Sequence, residues 1–299
     1  VSPQHAPSGG LPAWWRLAEP HEDIRKGNFD EHTFAAKLDD VVAGKAPAEY
    51  GLAEPFFTKT YLTTELKGLL VDTLRRLAGT GGEAVVQLRT PFGGGKTHAL
   101  IALYHLVKKA ADIADMLDIR ALLESAGLEH VPHARTAVLV GTSSSAQGRM
   151  SEDGFRLHTL WGELAYQLGG EKVYALLKDA DEARTSPGKD TLRKVLEQSG
   201  KALILMDEML VYQVKAAGVR VGETTLQAQT FAFLQELTEV AGSVFGTALI
   251  TTFPESNVEY YDHESAPQVF ARLDKIFGRV QAVRIPVQGE EIFEVVRRR

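Results

Sequence analysis

Short apolar runs alternate along the chain with segments whose apolar residues recur at helical spacing. The spacing is helical from about Pro20 to Gly79, and YLTTELKGLLVDTLRRLAG (61–79) has one clear apolar face. The period then changes: Ala84–Leu88 predicts a short buried strand, followed by a glycine-rich loop and a helix over Lys96–Lys109. Further strands are predicted at 136–144, 202–206, 243–253 and 280–285, and further helices at 155–168, 171–179, 190–198 and 225–242, with one more before the last strand. This alternation predicts an α/β fold, a doubly wound parallel sheet of about five strands preceded by a helical N-terminal region.

The stretch TPFGGGKTH (90–98) contains three consecutive glycines, which suit either a flexible linker or a loop that binds phosphate. It follows an apolar strand directly and continues into an amphipathic helix, which is the context of a phosphate-binding loop. Glycines let successive N–H groups turn toward an anion, and the helix N-terminus adds its dipole. We expect Lys96 to contact the β- and γ-phosphates of ATP and Thr97 to bind Mg²⁺. The predicted nucleotide-binding residues are Phe92, Gly93, Gly94, Gly95, Lys96, Thr97 and His98.

The loop departs from the consensus G-x-x-x-x-G-K-[ST] at one position, because Thr90 stands where the first glycine is usual. The restricted φ of Pro91 offers another way to turn the chain at this point.

The run ALILMDE (202–208) is a second motif, in which Asp207 and Glu208 follow an apolar strand. A buried strand with an acidic end is the simpler reading, but parallel sheets bind ligands at the carboxyl ends of their strands. Both motifs lie at such ends and occur in the order that a nucleotide site requires. We therefore predict that Asp207 organises Mg²⁺ and that Glu208 orients or deprotonates the water that attacks the γ-phosphate.

Two further roles have candidates with open alternatives. Either Thr251 or Thr252 could hydrogen-bond the attacking water or the γ-phosphate; Thr252 is preferred because it lies nearer the strand end, although threonine is also an ordinary strand residue. A cation that stabilises the transition state is predicted at Arg279, with Arg272 and Arg284 as alternatives. A surface ion pair is the alternative role for Arg279, and Arg284 is a weaker candidate than the other two. No Asn-Lys-x-Asp sequence supports guanine, so adenine is the expected base.

Composition narrows the choice of function only slightly. The 299 residues carry a net charge of −6, which gives no general attraction to nucleic acid or to an anionic membrane, although a local basic patch is compatible with it. The absence of cysteine excludes disulfides and thiolate metal sites and fits a cytoplasmic protein. No apolar run approaches the length of a membrane span. Both ends read as cut, so we expect a fragment of a longer polypeptide.

The chain resembles a family of large AAA-type P-loop ATPases that occur in bacterial and archaeal phage-defence clusters beside DNA methyltransferases. The resemblance rests on TPFGGGKTHALIALYHL, VLVGTSS with TLWGELAYQL, LILMDEMLVY and GRVQAVRIPVQGEEIFEVVRRR, and covers nearly the whole chain from about Pro20. It implies an AAA/ASCE-type P-loop fold, ATP and Mg²⁺ as ligands, a homo-oligomer, and other subunits of a defence complex as partners, with DNA contacted indirectly. It also implies a lead-in and helical region over 1–79, an ATPase core over 80–289, and the start of a helical lid over 290–299.

Two alternatives to an ATP-hydrolysing module remain open at this point. One is a scaffold or switch that binds ATP without hydrolysing it, against which the position of Glu208 argues. The other is a DNA translocase, against which the acidic balance and the lack of helicase motifs argue.

Overall fold

The computed structural model describes residue 25 and residues 36–90, 95–254, 266–278, 282–286 and 291–298. Its centre is a five-stranded sheet in the order β2-β5-β8-β1-β9, in which every neighbouring pair is parallel. Two short antiparallel hairpins, β3-β4 and β6-β7, lie outside this sheet. The strands are β1 Val85–Thr90, β2 Arg135–Val140, β3 Arg149–Met150, β4 Arg156–Leu157, β5 Ala202–Asp207, β6 Arg220–Val221, β7 Thr224–Thr225, β8 Thr247–Pro254 and β9 Ala282–Arg284.

Helices cover both faces of the sheet, as the alternation of strands and helices predicts. Apart from residue 25, the helices within the described ranges are α1 Leu38–Val42, α2 Ala48–Gly51, α3 Ala53–Lys59, α4 Thr64–Ala78, α5 Lys96–Lys108, α6 Ala110–Ile113, α7 Leu117–Ala126, α8 Leu160–Tyr174, α9 Lys178–Glu182, α10 Lys189–Ser199, α11 Met209–Ala217, α12 Leu226–Ser243, α13 Ala266–Phe277 and α14 Glu291–Arg298. Apolar residues of α1–α7 form the core on one face, and those of α8 and α10–α13 form it on the other.

Strand β5, which lies between β2 and β8, shows how the sheet divides the core. Every residue of this strand is buried. Ala202, Ile204 and Met206 pack into the cluster with α8 and α10–α13, whereas Leu203 and Leu205 pack into the cluster with α1–α7. A continuous apolar run is therefore required here, because successive side chains point to opposite faces and both faces are dry.

Local signals set the ends of the longest helices. Helix α4 begins after Thr63, whose side chain accepts a hydrogen bond from the Leu66 N–H at 3.1 Å, and ends at Gly79, which has the left-handed φ of +79°. Helix α12 begins in the same way after Thr225, whose hydroxyl accepts from Ala228 N. A side-chain cap at the start and a glycine past the end are the expected solutions for unpaired helix-end groups.

The sequence predictions for β1, α5, α10 and α12 are confirmed to within two residues. The predicted strand 136–144 is too long, because β2 ends at Val140 and a turn follows in which Ser144 N bonds Val140 O. The predicted strand 243–253 starts too early, since Ser243 is the last residue of α12.

The region between β2 and β5 differs most from the prediction. The expected helix 155–168 is wrong at its start, because residues 156–157 form β4 and α8 begins after Thr159, whose side chain caps it. The expected break near 170 is a kink inside α8 at Gly169 and Gly170.

Helix α11 and both hairpins were not predicted, because segments this short carry too little periodicity.

Helix α14 contacts α4 and α7. The Glu291 carboxylate accepts from the backbone N–H of Thr64 at 2.8 Å and from its hydroxyl at 2.9 Å, and the Arg298 guanidinium bonds Asp118 at 2.8 Å. Of the predicted lid, 290–299, the structure describes residues 291–298. They form a helix, and the assignment of this helix to a lid stays a prediction.

Candidate active site

The carboxyl ends of three neighbouring strands bring the two sequence motifs together. Strand β8 lies between β1, which leads into the glycine-rich loop, and β5, which ends at Asp207. The register pairs Leu88 of β1 with Thr252, and Met206 of β5 with Thr251. A ligand held by the start of α5 therefore faces the acidic end of β5 across β8, as expected for an open parallel sheet.

Asp207 is the centre of this site. It is 4% exposed, and its Oδ2 accepts a hydrogen bond from Thr97 Oγ1 at 2.9 Å while its Oδ1 accepts one from Thr252 Oγ1 at 2.5 Å. Burial raises the pKa of the Asp207 carboxyl, and the nearby charge of Glu208 adds to that effect; the two hydroxyl bonds and the charge of Lys96 oppose it. The carboxylate is therefore desolvated at a position where a cation would relieve the cost.

The start of α5 provides the groups that suit a phosphate. Gly95 precedes the helix with a left-handed φ of +81°, a conformation that favours glycine, and Lys96 and Thr97 form the first turn of the 13-residue helix. The first N–H groups of a helix lack intrahelical partners and attract anions. The predicted ligands Phe92, Gly93 and Gly94 lie outside the described residues.

The oxygen ligands present fit Mg²⁺ better than a metal that needs an all-protein cage. Within the described ranges no group of three or more His, Cys, Asp or Glu side chains is placed to hold a metal. Mg²⁺ is commonly held by one or two protein oxygens, with water and substrate phosphates completing its shell. The hydroxyl of Thr97 and the carboxylate of Asp207 are in direct contact and are the residues that would hold it.

Glu208 has an unusual backbone conformation for its residue type. Its φ of +54° and ψ of +37° are left-handed, a region that costs a non-glycine residue about 1–2 kcal/mol. Its N–H donates to Thr252 Oγ1 at 3.2 Å, and its Oε2 accepts from Thr142 Oγ1 at 2.7 Å. The side chain is thus held by Thr142, in the turn after β2, and is not a freely solvated strand-end charge.

Gly141 allows the backbone of Glu208 to come close. Its N–H donates to Asp207 O at 2.8 Å, and a Cβ at this position would lie far inside van der Waals contact of the Glu208 carbonyl oxygen. Residues 141–144 form the turn that follows β2. Lys215 binds this turn, because its Nζ donates to the carbonyl oxygens of Gly141, Thr142 and Ser144. A side chain at Gly141 would therefore push the end of β2 away from Glu208.

The sequence analysis predicted no role for Gly141, Thr142 or Lys215, and it placed residues 141–144 inside the strand expected at 136–144. The usable signal is that β2 is a buried parallel strand, so the residues after it reach the same edge of the sheet as Asp207.

The structure separates the two candidate threonines. The hydroxyl of Thr252 joins the site through Asp207 and Glu208, whereas Thr251 is fully buried and, among the described residues, its hydroxyl donates to the Thr252 carbonyl at 3.4 Å. Thr252 is thus the threonine in contact with the acidic pair.

His98, a predicted nucleotide ligand, contacts the N-terminal helices. Its Nε2 lies 3.0 Å from Thr60 Oγ1, and its ring centroid is 4.6 Å from that of Phe56. Through these contacts His98 connects the first turns of α5 to α3.

Of the three arginine candidates, two are described and both have partners within the chain. Arg284 pairs with Asp72 and Glu65 of α4. The guanidinium of Arg272 stacks on the Phe231 ring, 4.2 Å from its centroid. Arg279 lies outside the described residues, so its role as the transition-state cation stays a prediction.

Comparison with protein families identifies the chain. The model of the family described as "DUF499 N-terminal domain" matches residues 15–283, which is most of the chain. The chain belongs to the DUF499 N-terminal domain family. No curated protein matches it.

The matched range contains every residue of the candidate site, from Gly95 to Thr252, and leaves out Arg284 and α14. The match names a domain and no activity, so function has to be argued from the site. None of the helices in the described ranges combines the length and apolar content that a membrane span needs.

Proposed function

We propose that this DUF499 domain binds Mg-ATP and hydrolyses it. The observation that carries the proposal is the 2.9 Å contact between Thr97 and Asp207, which joins two sequence motifs that lie 110 residues apart. Glu208 is the next residue and is itself held in place. A hydroxyl on the first turn of a helix, a buried carboxylate and a second acid are the parts that phosphoryl transfer to water requires.

The start of α5 would bind the phosphates in this reaction. Its first N–H groups, which have no partner within the helix, and its positive helix end would face the anion, and the ammonium of Lys96 would contact the β- and γ-phosphates. When bound, Mg²⁺ would neutralise charge on the same phosphates, held by Thr97 and Asp207. The hydroxyl bonds from Thr97 and Thr252 and the charge of Lys96 favour the carboxylate form of Asp207, and a bound cation would favour it further.

Glu208 would act on the attacking water. Its carboxylate is an acceptor that can orient the water or take its proton, a role that contributes about 10²–10⁴-fold to rate in enzymes. The contacts from Thr142 and Thr252 restrict the rotation of this residue, which is the pre-organisation that such a base needs. This arrangement favours hydrolysis over a switch that only binds ATP.

The wider role rests on resemblance and not on the site. A phage-defence assembly acting on DNA, a homo-oligomeric state, an AAA-type organisation and other defence subunits as partners are what the family resemblance implies.

Turnover and binding of Mg-ATP by four proteins would test the proposal: wild type, Lys96→Ala, Glu208→Gln and the exposed-acid control Glu197→Gln. We expect Lys96→Ala to lose both binding and turnover, because the phosphates lose their cation. Glu208→Gln should bind ATP as wild type does but hydrolyse it about 100-fold more slowly or worse. The Glu197 variant should match wild type.

The outcomes separate the alternatives. ATP binding with no turnover by wild type would favour a switch. Equal turnover by wild type and Glu208→Gln would remove Glu208 from the reaction, and wild type that fails to bind ATP would overturn the whole proposal.

A further inference from the structure

We infer that Lys215 is a positioning residue for Glu208 and acts on ATP hydrolysis through the turn that follows β2. This inference rests on the proposed function, because it concerns the rate at which Glu208 works. Lys215 lies in the last turn of α11, 7 residues after Glu208, and its contacts are with a different segment of the chain.

The ammonium of Lys215 is committed to one turn. Its Nζ donates to the carbonyl oxygens of Gly141 at 2.9 Å, Thr142 at 2.5 Å and Ser144 at 3.3 Å. A lysine ammonium has three donors, and this turn accepts all of them. Because the accepting carbonyls belong to residues 141–144, Lys215 is not simply capping its own helix.

The same turn holds the carboxylate of Glu208. Thr142 Oγ1 donates to Glu208 Oε2 at 2.7 Å, and its backbone position is set by the Lys215 contact on its carbonyl and by the Ser144 N bond to Val140 O at 2.8 Å. Helix α11 starts at Met209, directly after Glu208, so the contacts close a ring. The chain runs from Glu208 along α11 to Lys215, from there to the turn, and through Thr142 back to Glu208.

The backbone of Glu208 explains why such a ring is needed. A non-glycine residue with φ of +54° is strained, and strain of this kind persists only where the surroundings hold it. Besides the bond that its carbonyl accepts from Val211 N at 3.1 Å, at the start of α11, three contacts within the described residues hold Glu208: the Thr252 hydroxyl on its N–H, the Thr142 hydroxyl on its carboxylate, and the side-chain-free surface of Gly141 against its carbonyl. Two of these three contacts come from Thr142 and Gly141, which belong to the turn that Lys215 binds.

Steady-state ATP hydrolysis by Lys215→Met, Lys215→Arg, Thr142→Val and the double variant Lys215→Met/Thr142→Val would test this inference. The matched control is Lys194→Met, an exposed lysine of α10. We expect Lys215→Met and Thr142→Val each to lower kcat about 10-fold, because small displacements of a catalytic group are costly. The KM for ATP and the melting temperature should stay close to wild type, since neither residue contacts the phosphate-binding helix.

Two features of the data would distinguish positioning from general stability. The double variant should be no slower than the slower single variant, because both substitutions break one chain of contacts. Lys215→Arg keeps several donors and should recover part of the lost kcat.

Several results would overturn the inference: kcat of Lys215→Met equal to that of Lys194→Met, kcat higher than wild type, losses that add in the double variant, or a parallel loss of ATP binding and melting temperature. The proposed function fails in a different way, through wild type without turnover or through equal turnover by wild type and Glu208→Gln. The two failures are therefore distinguishable in one series of proteins.

Discussion

Glu208 and Arg184 are the non-glycine residues with positive φ within the described ranges, and only Glu208 lies at the carboxyl edge of the sheet. Sequence rules favour glycine or asparagine in this conformation. Glu208 departs from this preference at the predicted catalytic position. Such departures are expected where a functional constraint overrides the backbone preference of a residue. Gly141 makes this conformation of Glu208 possible, because a side chain at position 141 would collide with the Glu208 carbonyl oxygen.

We therefore predict that Gly141→Ala lowers the free energy of unfolding by about 1–3 kcal/mol, the usual cost of adding an atom where none fits. The new Cβ would collide with the Glu208 carbonyl and force β2 and β5 apart at their ends. Turnover should fall as well, since Glu208 would be displaced. Urea denaturation and steady-state hydrolysis measure the two effects.

The control is Gly242→Ala in α12, where an added Cβ meets nothing within 4 Å. Its stability should be unchanged or higher by up to about 1 kcal/mol, from the better helix propensity of alanine. Equal stabilities of the two variants would contradict the close approach at Gly141.

Between elements, Arg76 joins α4 to the end of α12 and the start of β8. Its Nη2 donates to the carbonyl oxygens of Ala241 at 2.9 Å and Val244 at 2.8 Å, and its Nε donates to Thr247 O at 2.8 Å. The guanidinium satisfies carbonyls that the end of a helix leaves without partners. Burial lowers the pKa of Arg76 and the charge of Glu83 opposes this shift.

We predict that Arg76→Met destabilises the protein by about 2–3 kcal/mol, because buried carbonyls lose charged hydrogen-bond donors. The matched control is Arg75→Met on the same helix. Arg75 makes one short bond, of 2.6 Å, to Ser125 O at the end of α7, and this bond is exposed to solvent. Its loss should cost less than about 1 kcal/mol. Chemical denaturation of both variants decides the point, and equal losses would show that Arg76 does not join these elements.

In the whole molecule, the N-terminal helices are attached to α5, the helix that follows the glycine-rich loop. His105 of α5 is fully buried, and its Nε2 lies 2.7 Å from the Tyr50 carbonyl of α2. Burial lowers the pKa of His105, and Lys109 lowers it further; the Tyr50 bond and Asp112 oppose the shift. Together with the His98–Thr60 contact, this bond holds α2 and the end of α3 against α5.

The lowered pKa predicts that stability falls as the pH drops below 6.5, the ordinary value for histidine. In that window the unfolded chain binds a proton that the folded chain refuses, so acid favours unfolding by at most about 1.4 kcal/mol per pH unit for one group. Urea denaturation between about pH 5.5 and 8 should show a flatter dependence for His105→Gln, whose amide can still donate to Tyr50 O.

Other groups cancel in that comparison. The raised pKa of Asp207 has the opposite sign, since it costs stability as the pH rises above 3.8, and it is common to both proteins. Identical pH dependence in the two proteins would contradict a neutral buried His105.

Much of the fold could be predicted from the sequence because most strands and helices are indicated by patterns within the segment itself. The burial of β5 follows from an uninterrupted apolar run, and α5 follows from apolar spacing after Gly95. The hairpin β3-β4 could not be predicted, because two-residue strands have no measurable period and depend on the turn around them. The start of α8 was misplaced for the same reason, as its cap at Thr159 is a single residue.

For the site, the sequence by itself determined which residue types end β1, β5 and β8, since each follows an apolar run closely enough to be recognised. Only the tertiary structure decided that β8 lies between the other two, so that Thr252 reaches Asp207, and that the turn after β2 meets Glu208. The physical reason is that strand order and the contacts of Thr142 and Lys215 join residues more than 60 positions apart. Such pairings depend on how the helices pack the sheet from both faces, and no local pattern encodes them.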